Sequence, residues 1–155
     1  LPLSIKTNIN TSSYGTISKL GVISLKDERK RAEKFREMTN IKTPDIDQKV
    51  ENLSGGNQQK VVISKILCSD PDILIFDEPT VGVDVGAKQE IYKIIEELVR
   101  RGKGIILISS YLPEVMGLSD RCIVMSEGRI TGVLNKEELK MVTEETMLKL
   151  ASAVE

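Results

Sequence analysis

Ile73-Leu74-Ile75-Phe76-Asp77-Glu78-Pro79-Thr80 is an unbroken apolar run that stops at two adjacent carboxylates and a proline. A short apolar run without polar alternation reads as a buried parallel strand, and its carboxylates then lie at the strand's C-terminal edge. Downstream, Ile91, Ile94, Ile95 and Leu98 recur at helical spacing between about Gly86 and Arg101, and Gly102 is a natural C-terminal stop. A second buried strand, Gly104 to Ser109, follows; then come a short helix near Pro113 and a strand from Cys122 to Ser126. Glu127-Gly128 turns that strand into Arg129 to Leu134 as a hairpin, and Lys136 to Ala153 reads as helical. Strand, helix, strand, helix, strand predicts an α/β domain with a mostly parallel sheet, whose functional residues gather at the strands' carboxyl ends.

Upstream the pattern is weaker. Leu1 to about Lys26 is rich in Ser, Thr, Asn and Gly, with small apolar clusters such as Ile17, Leu20, Val22 and Ile23, and reads as loop with weak helical turns. Ala32, Phe35 and Met38 then recur among charged neighbours, which predicts an exposed amphipathic helix over Asp27 to Thr39 with Asp27 as its cap. After Thr43-Pro44-Asp45 and Leu53-Ser54-Gly55-Gly56, a second helix is expected from about Asn57 to Cys68, with Val62, Ile63, Ile66 and Leu67 inward.

Composition narrows the function classes. The 155 residues suit one domain, and 40% apolar content is enough for one core. Basic and acidic residues nearly cancel, 22 against 23, so no global field draws the chain to nucleic acid or an anionic membrane. Aromatic residues make up 3% and tryptophan is absent, which argues against a base-stacking surface. With no histidine, acid-base chemistry falls to carboxylates. Cys68 and Cys122 sit in apolar runs without metal-ligand spacing and read as reduced core thiols. No apolar run is long enough to span a bilayer.

Two constellations carry chemistry. Leu53-Ser54-Gly55-Gly56-Asn57-Gln58-Gln59-Lys60 offers a hydroxyl and unhindered backbone N–H groups at a helix start, where a terminal phosphate can dock; a lone Ser-Gly-Gly is also a common way to cap a helix. Asp77-Glu78 can divide two jobs, one carboxylate holding Mg²⁺ and the other orienting an attacking water, although such a pair also begins many solvated loops.

In order and spacing, the Ser-Gly-Gly helix start, the strand ending in Asp77-Glu78-Pro79-Thr80 and the following Gly82-Val83-Asp84 resemble the ABC ATPase family. Leu53 to Gln58 looks like its signature motif, Ile73 to Glu78 its Walker B strand and Val81 to Asp84 its D-loop. The variants Asn57-Gln58-Gln59-Lys60 and Thr80 to Lys88 look most like the second ATPase domain of ribose, galactose or xylose importers. The resemblance implies a partial P-loop NTPase fold: residues 1–70 as the helical subdomain with the signature motif, and 71–155 as the C-terminal half of the RecA-like core. It implies ATP and Mg²⁺ as cofactors. Ser54, Gly55 and Gly56 would meet the γ-phosphate of ATP on an opposite domain, with Asn57 and Gln58 beside them among the cofactor-binding residues. Asp77 would hold Mg²⁺ through water, Glu78 would polarise the attacking water, and Asp84 would link the two sites.

The implied partners are a first ATPase domain in the same polypeptide, membrane permease subunits and, indirectly, a periplasmic or extracellular sugar-binding protein, with the chain on the cytoplasmic face of the membrane and no nucleic acid. Two departures qualify this. Ser110 stands where the family carries a switch histidine, and a hydroxyl cannot fully replace an imidazole; either γ-phosphate contact or helix capping is open to it. No GxxxxGK[ST] occurs, so the chain is expected to start mid-domain, to be inactive alone and to associate with itself through uncovered apolar surface. Besides an importer ATPase, the open alternatives are a non-hydrolysing half that donates its signature motif, and a non-transport ABC protein acting on ribosomes or DNA.

Overall fold

A computed structural model describes residues 2–19 and 22–152. Leu1, Leu20 of the expected apolar cluster and Ala153 at the end of the expected C-terminal helix lie outside the described residues. The chain divides into two compact units, Leu1–Leu74 with Pro79–Ile105, and Ile75–Glu78 with Ile106–Glu155.

The first unit is built on helices. In α1 (Ile5–Asn10) the pair Ile5 and Ile9 is fully buried, and Ser4 caps the helix by accepting from the Thr7 N–H at 3.1 Å. The chain then forms α2 (Tyr14–Ile17), the two-residue strands β1 (Ser18–Lys19) and β2 (Val22–Ile23), and α3 (Leu25–Met38). The expected loop with weak turns is therefore wrong at α1, which packs against α3 and α4 (Gly55–Leu67). Its buried Asn10 donates to Glu28 O at 3.0 Å, tying α1 to α3. The cap of α3 is Ser24 rather than Asp27; its hydroxyl accepts from the Asp27 N–H at 3.3 Å and leaves Asp27 in the first turn, where a carboxylate favours the helix dipole.

Helix α4 starts two residues earlier than expected and is rotated relative to the expected face. Lys60, Val61, Ile63, Ser64 and Leu67 point inward, whereas Val62 is 41% exposed. Apolar periodicity misses this because one inward position is a lysine and another a serine, each buried with a polar partner: Lys60 with Glu90, and Ser64 with Thr39 at 2.8 Å.

Strand β3 (Ile73–Asp77), helix α5 (Val85–Arg100) and strand β4 (Gly104–Ile108) form a strand-helix-strand crossover. Gly104 N donates to Asp72 O at one end and Glu78 N to Ile108 O at the other, each at 2.8 Å, so residue numbers climb together and β3 and β4 are parallel. Leu74 and Phe76 are buried, but Ile73 is 65% and Ile75 59% exposed. The expectation of a strand buried on both faces thus holds for one face only; β4 likewise has no fully buried residue. Helix α5 buries Ile91, Ile95 and Leu98 and ends at Gly102, whose positive φ of 81° suits the stop expected there.

The second unit closes with α6 (Leu112–Leu118), β5 (Arg121–Ser126), β6 (Arg129–Asn135), α7 (Lys136–Met141) and α8 (Glu144–Ala151). The β5–β6 hairpin turns at Glu127 and Gly128, both at positive φ, as a type I′ turn requires. The expected single C-terminal helix is two: Val142 is extended, and Thr143 restarts the helix by accepting from the Thr146 N–H. Cys122, Val124, Leu139 and Met147 form this unit's core. Both cysteines are free and buried.

Candidate functional site

Ser54 to Gln58 form a self-supported loop at the start of α4. Ser54 is extended, at φ −61° and ψ 154°, and its side chain makes no cap hydrogen bond. Its hydroxyl instead accepts from Asn57 Nδ2 at 2.9 Å, while Asn57 Oδ1 accepts from Lys42 N at 2.9 Å and Gln58 Nε2 donates to Leu53 O at 2.9 Å. Asn57 and Gln58 thus shape the loop, and Ser54 and Gly55 are exposed. First-turn N–H groups left without a side-chain cap, at the positive end of the helix dipole, suit an anion.

The same loop lies against the residues after Thr80. A Cβ on Gly55 would meet Gly82 O at 3.4 Å, and one on Gly56 would meet Ala87 Cβ at 2.4 Å and Val83 Cγ1 at 3.5 Å. Glycine at both positions permits this approach. Gly82 has φ 71°, and Asp84 caps α5 by accepting from Ala87 N at 3.0 Å. Deeper in, the ammonium of buried Lys60 pairs with the Glu90 carboxylate and donates to Asn40 O at 2.9 Å, with Lys42 on the other Glu90 oxygen at 3.4 Å. The hydrogen bond from Lys60 holds the Glu90 carboxyl below the ordinary carboxylate range. Helices α4 and α5 are thereby joined by a close glycine contact and a buried ion pair.

The carboxylates belong to the second unit. Asp77, the last residue of β3, is exposed, and its carboxylate has no hydrogen bond or ion pair among the described residues. One exposed carboxylate can serve Mg²⁺, which takes few protein ligands; no cluster of three or more His, Cys, Asp or Glu side chains placed to hold a metal exists among the described residues. Glu78 is half-buried and sits at φ 45°, a left-handed conformation unusual for a residue with a Cβ. It is gripped at both ends by the C-terminus of β4: its N–H donates to Ile108 O, and its Oε1 accepts from Ser110 N at 2.7 Å. No hydrogen bond engages Oε2 among the described residues.

Ser110 therefore meets Glu78 through its backbone, and its hydroxyl makes no hydrogen bond among the described residues. Nor does that hydroxyl cap α6, whose cap residue is Tyr111. The Tyr111 N–H instead goes to Ser109 Oγ at 3.0 Å, and Ser109 Oγ donates to the buried Glu114 at 2.6 Å.

All eight residues of the signature, D-loop and carboxylate motifs singled out from sequence, together with Ser110, fall into two groups: Ser54 to Gln58 with Asp84, and Asp77 and Glu78 with Ser110. Sequence reasoning gave no role to Lys60, Glu90 or Glu114. The first two are thirty positions apart with no local pattern, and Glu114 after Leu112-Pro113 reads as an ordinary first-turn acid. A cavity of about 710 Å³ in the first unit, lined by Thr16, Lys34, Phe35, Met38 and Lys103 among others, holds none of the expected residues.

A family model for ABC transporters matches residues 3–81. The chain is 55% identical over 146 residues to the L-arabinose transport ATP-binding protein AraG of Geobacillus stearothermophilus, covering 94% of this chain and 28% of that protein. It is 52% identical over 137 residues to the ribose import ATP-binding protein RbsA of Clostridium perfringens, covering 88% and 27%, and 51% identical over 152 residues to the xylose import ATP-binding protein XylG of Geobacillus kaustophilus, covering 98% and 30%. The chain thus spans under a third of these relatives. In fold it is similar to a nucleotide-free ATP-binding cassette from an ABC transporter, with a TM-score of 0.80 at 22% identity, covering 99% of this chain and 64% of that one. A dimeric ATP-binding cassette in a post-hydrolysis state with ADP and Pi matches with a TM-score of 0.73 at 23% identity, covering 88% and 58%.

Proposed function

The chain belongs to the ABC transporter family, and from the geometry of its residues we propose that it supplies the signature-bearing and water-positioning part of an ATPase that drives a monosaccharide importer. In this reading it is the C-terminal part of a second nucleotide-binding domain, with residues 1–70 as helical subdomain and 71–155 as half of the ATPase core. Its partners are another ATPase domain of the same polypeptide, membrane permease subunits and, through them, a sugar-binding protein outside the membrane. No helix among the described residues is long and apolar enough to cross a membrane, and in this reading the chain is held at the cytoplasmic face by the permease.

The observation that carries the reading is the double grip on Glu78, with one carboxylate oxygen on Ser110 N and the other open. A carboxylate held this way beside a strand-end aspartate can accept a hydrogen bond from a water and aim its oxygen at a phosphorus atom. Phosphoryl transfer asks the protein for little beyond such positioning and charge stabilisation. Asp77 would hold Mg²⁺, which when bound neutralises charge on the phosphate oxygens. Ser54, Gly55 and Gly56 would face the γ-phosphate of ATP carried by the opposite domain, and Asp84 would relay between the two sites. The exposed Ile75, Ile106 and Ile108 support self-association of the chain when alone.

Transport is tested by reconstituting the full-length polypeptide with its permease and binding protein in vesicles and measuring uptake of labelled arabinose, ribose, xylose and galactose. ATP-dependent uptake of one or more of them is expected. Uptake of none, with hydrolysis intact, would remove the sugar assignment.

A second reading has one observation in its favour: the Ser110 hydroxyl stands where an imidazole is usual, and Ser110 bonds Glu78 through its backbone N–H and not its side chain. The chain would then be a non-hydrolysing half that donates its signature loop. The two readings separate on the effect of Glu78→Gln.

A further inference from the structure

Glu114 is 2% exposed, at the first turn of a seven-residue helix, and its Oε1 is buried without a protein hydrogen-bond partner among the described residues. Burying a carboxylate is costly, so its presence calls for a job that a leucine could not do. Its other oxygen, Oε2, accepts from Ser109 Oγ at 2.6 Å. That hydroxyl in turn accepts from Tyr111 N at 3.0 Å, and between these two residues Ser110 N donates to Glu78 Oε1 at 2.7 Å. The three-residue turn Ser109-Ser110-Tyr111 is therefore pinned on both sides of the one amide that holds Glu78.

We propose that Glu114 is a positioning residue: through Ser109 it fixes the turn that aims the Ser110 N–H at Glu78, so that the grip on Glu78 depends on residues 109 and 114 and not on the side chain at 110. This rests on the reading of Glu78 as the water-polarising group and deepens it. Because the contact uses a backbone N–H, any non-proline residue at 110 supplies it. The hydroxyl of Ser109 is in a different position, since it must accept one bond and donate another at once. Threonine can do both; alanine can do neither.

Hydrogen exchange of the Ser110 amide in the 155-residue chain, read by NMR, tests the clamp without reference to catalysis. In Ser109→Ala the Ser110 amide exchanges faster by roughly fivefold or more, the change expected from losing one hydrogen bond that orders the turn. Glu114→Ala acts in the same direction, Ser109→Thr restores protection, and Ser110→Ala leaves it unchanged. Val124 and Met147 amides in the unit's core report folding, so that Ser109→Ala carries the test should Glu114→Ala lose its fold. Wild-type exchange at residue 110 in a folded Ser109→Ala overturns the proposal. In the assembled importer, Ser109→Ala lowers kcat for ATP with little change in KM. Faster exchange with unaltered kcat would keep the clamp and instead overturn the role given to Glu78.

Discussion

A Cβ placed on Gly56 would lie 2.4 Å from the Cβ of Ala87, closer than the side-chain carbons of two separate residues come. The start of α4 and the start of α5 are thus in direct contact. If, as proposed, Ser54 and Asp84 face one opposite domain, this contact makes the two motifs parts of one surface. Gly56→Ala is expected to lower stability by about 1–3 kcal/mol through overpacking. Ala87→Gly in the same chain relieves the clash and recovers part of the loss. Urea unfolding of the single and double variants measures both.

The Lys60–Glu90 pair ties the same two helices at a deeper level. Lys60→Ala strands the carboxylate and leaves Asn40 O without its donor, at a cost of about 3 kcal/mol, the low end for a buried pair because Glu90 stays 27% exposed. The folded-state pKa of Glu90 is depressed by its hydrogen bond from Lys60, so the pair stabilises at neutral pH and that contribution is lost as pH falls through the depressed value, below the ordinary carboxylate range. The stability gap between wild type and Glu90→Gln should therefore be full at pH 7 and shrink under strongly acidic conditions, as denaturant titrations at a series of pH values can show.

Much of this was legible in the sequence, and the gaps have physical causes. The 3.6-residue period of Ile91, Ile95 and Leu98 located α5 to within a residue at each end, and Glu127-Gly128 located the hairpin, because each signal is local. The inward face of α4 was misread because apolar pattern cannot register a buried lysine whose partner, Glu90, lies on another helix. Six-residue α1 was too short to announce itself; only Ile5 and Ile9 mark its face. At the site, the motifs named the residues but not how they act. Ser110 is read from sequence as a side chain and is used in the fold as an amide, and the support from Glu114 arises only when the turn folds.

Asp84 has a local task as well as the one proposed across the interface. Its carboxylate caps α5 through the Ala87 N–H, so Asp84→Ala should cost about 1 kcal/mol of stability. Asp84→Asn keeps a capping oxygen and should retain stability. If Asp84 also links two ATP sites, Asp84→Asn lowers ATP turnover in the assembled importer while leaving thermal unfolding of the chain unchanged.

No GxxxxGK[ST] occurs in the 155 residues, and the exposed Ser54–Gly55 loop offers an anion only a helix start. Calorimetric titration of the chain with Mg·ATP to millimolar concentration is expected to give no saturable heat, with Glu78→Gln behaving alike. Saturable binding would mean that another phosphate cradle exists in these residues.

The most direct test of the account is ATP turnover by the importer assembled from the full-length polypeptide and its permease, compared between wild type and Glu78→Gln, with the equivalent substitution in the other ATPase domain alongside. If Glu78 polarises the attacking water, Glu78→Gln lowers kcat by about 10²-fold or more at its own site while ATP still binds. Turnover that survives Glu78→Gln, and falls only with the substitution in the other domain, would contradict the account and leave this chain as the donor of a signature loop.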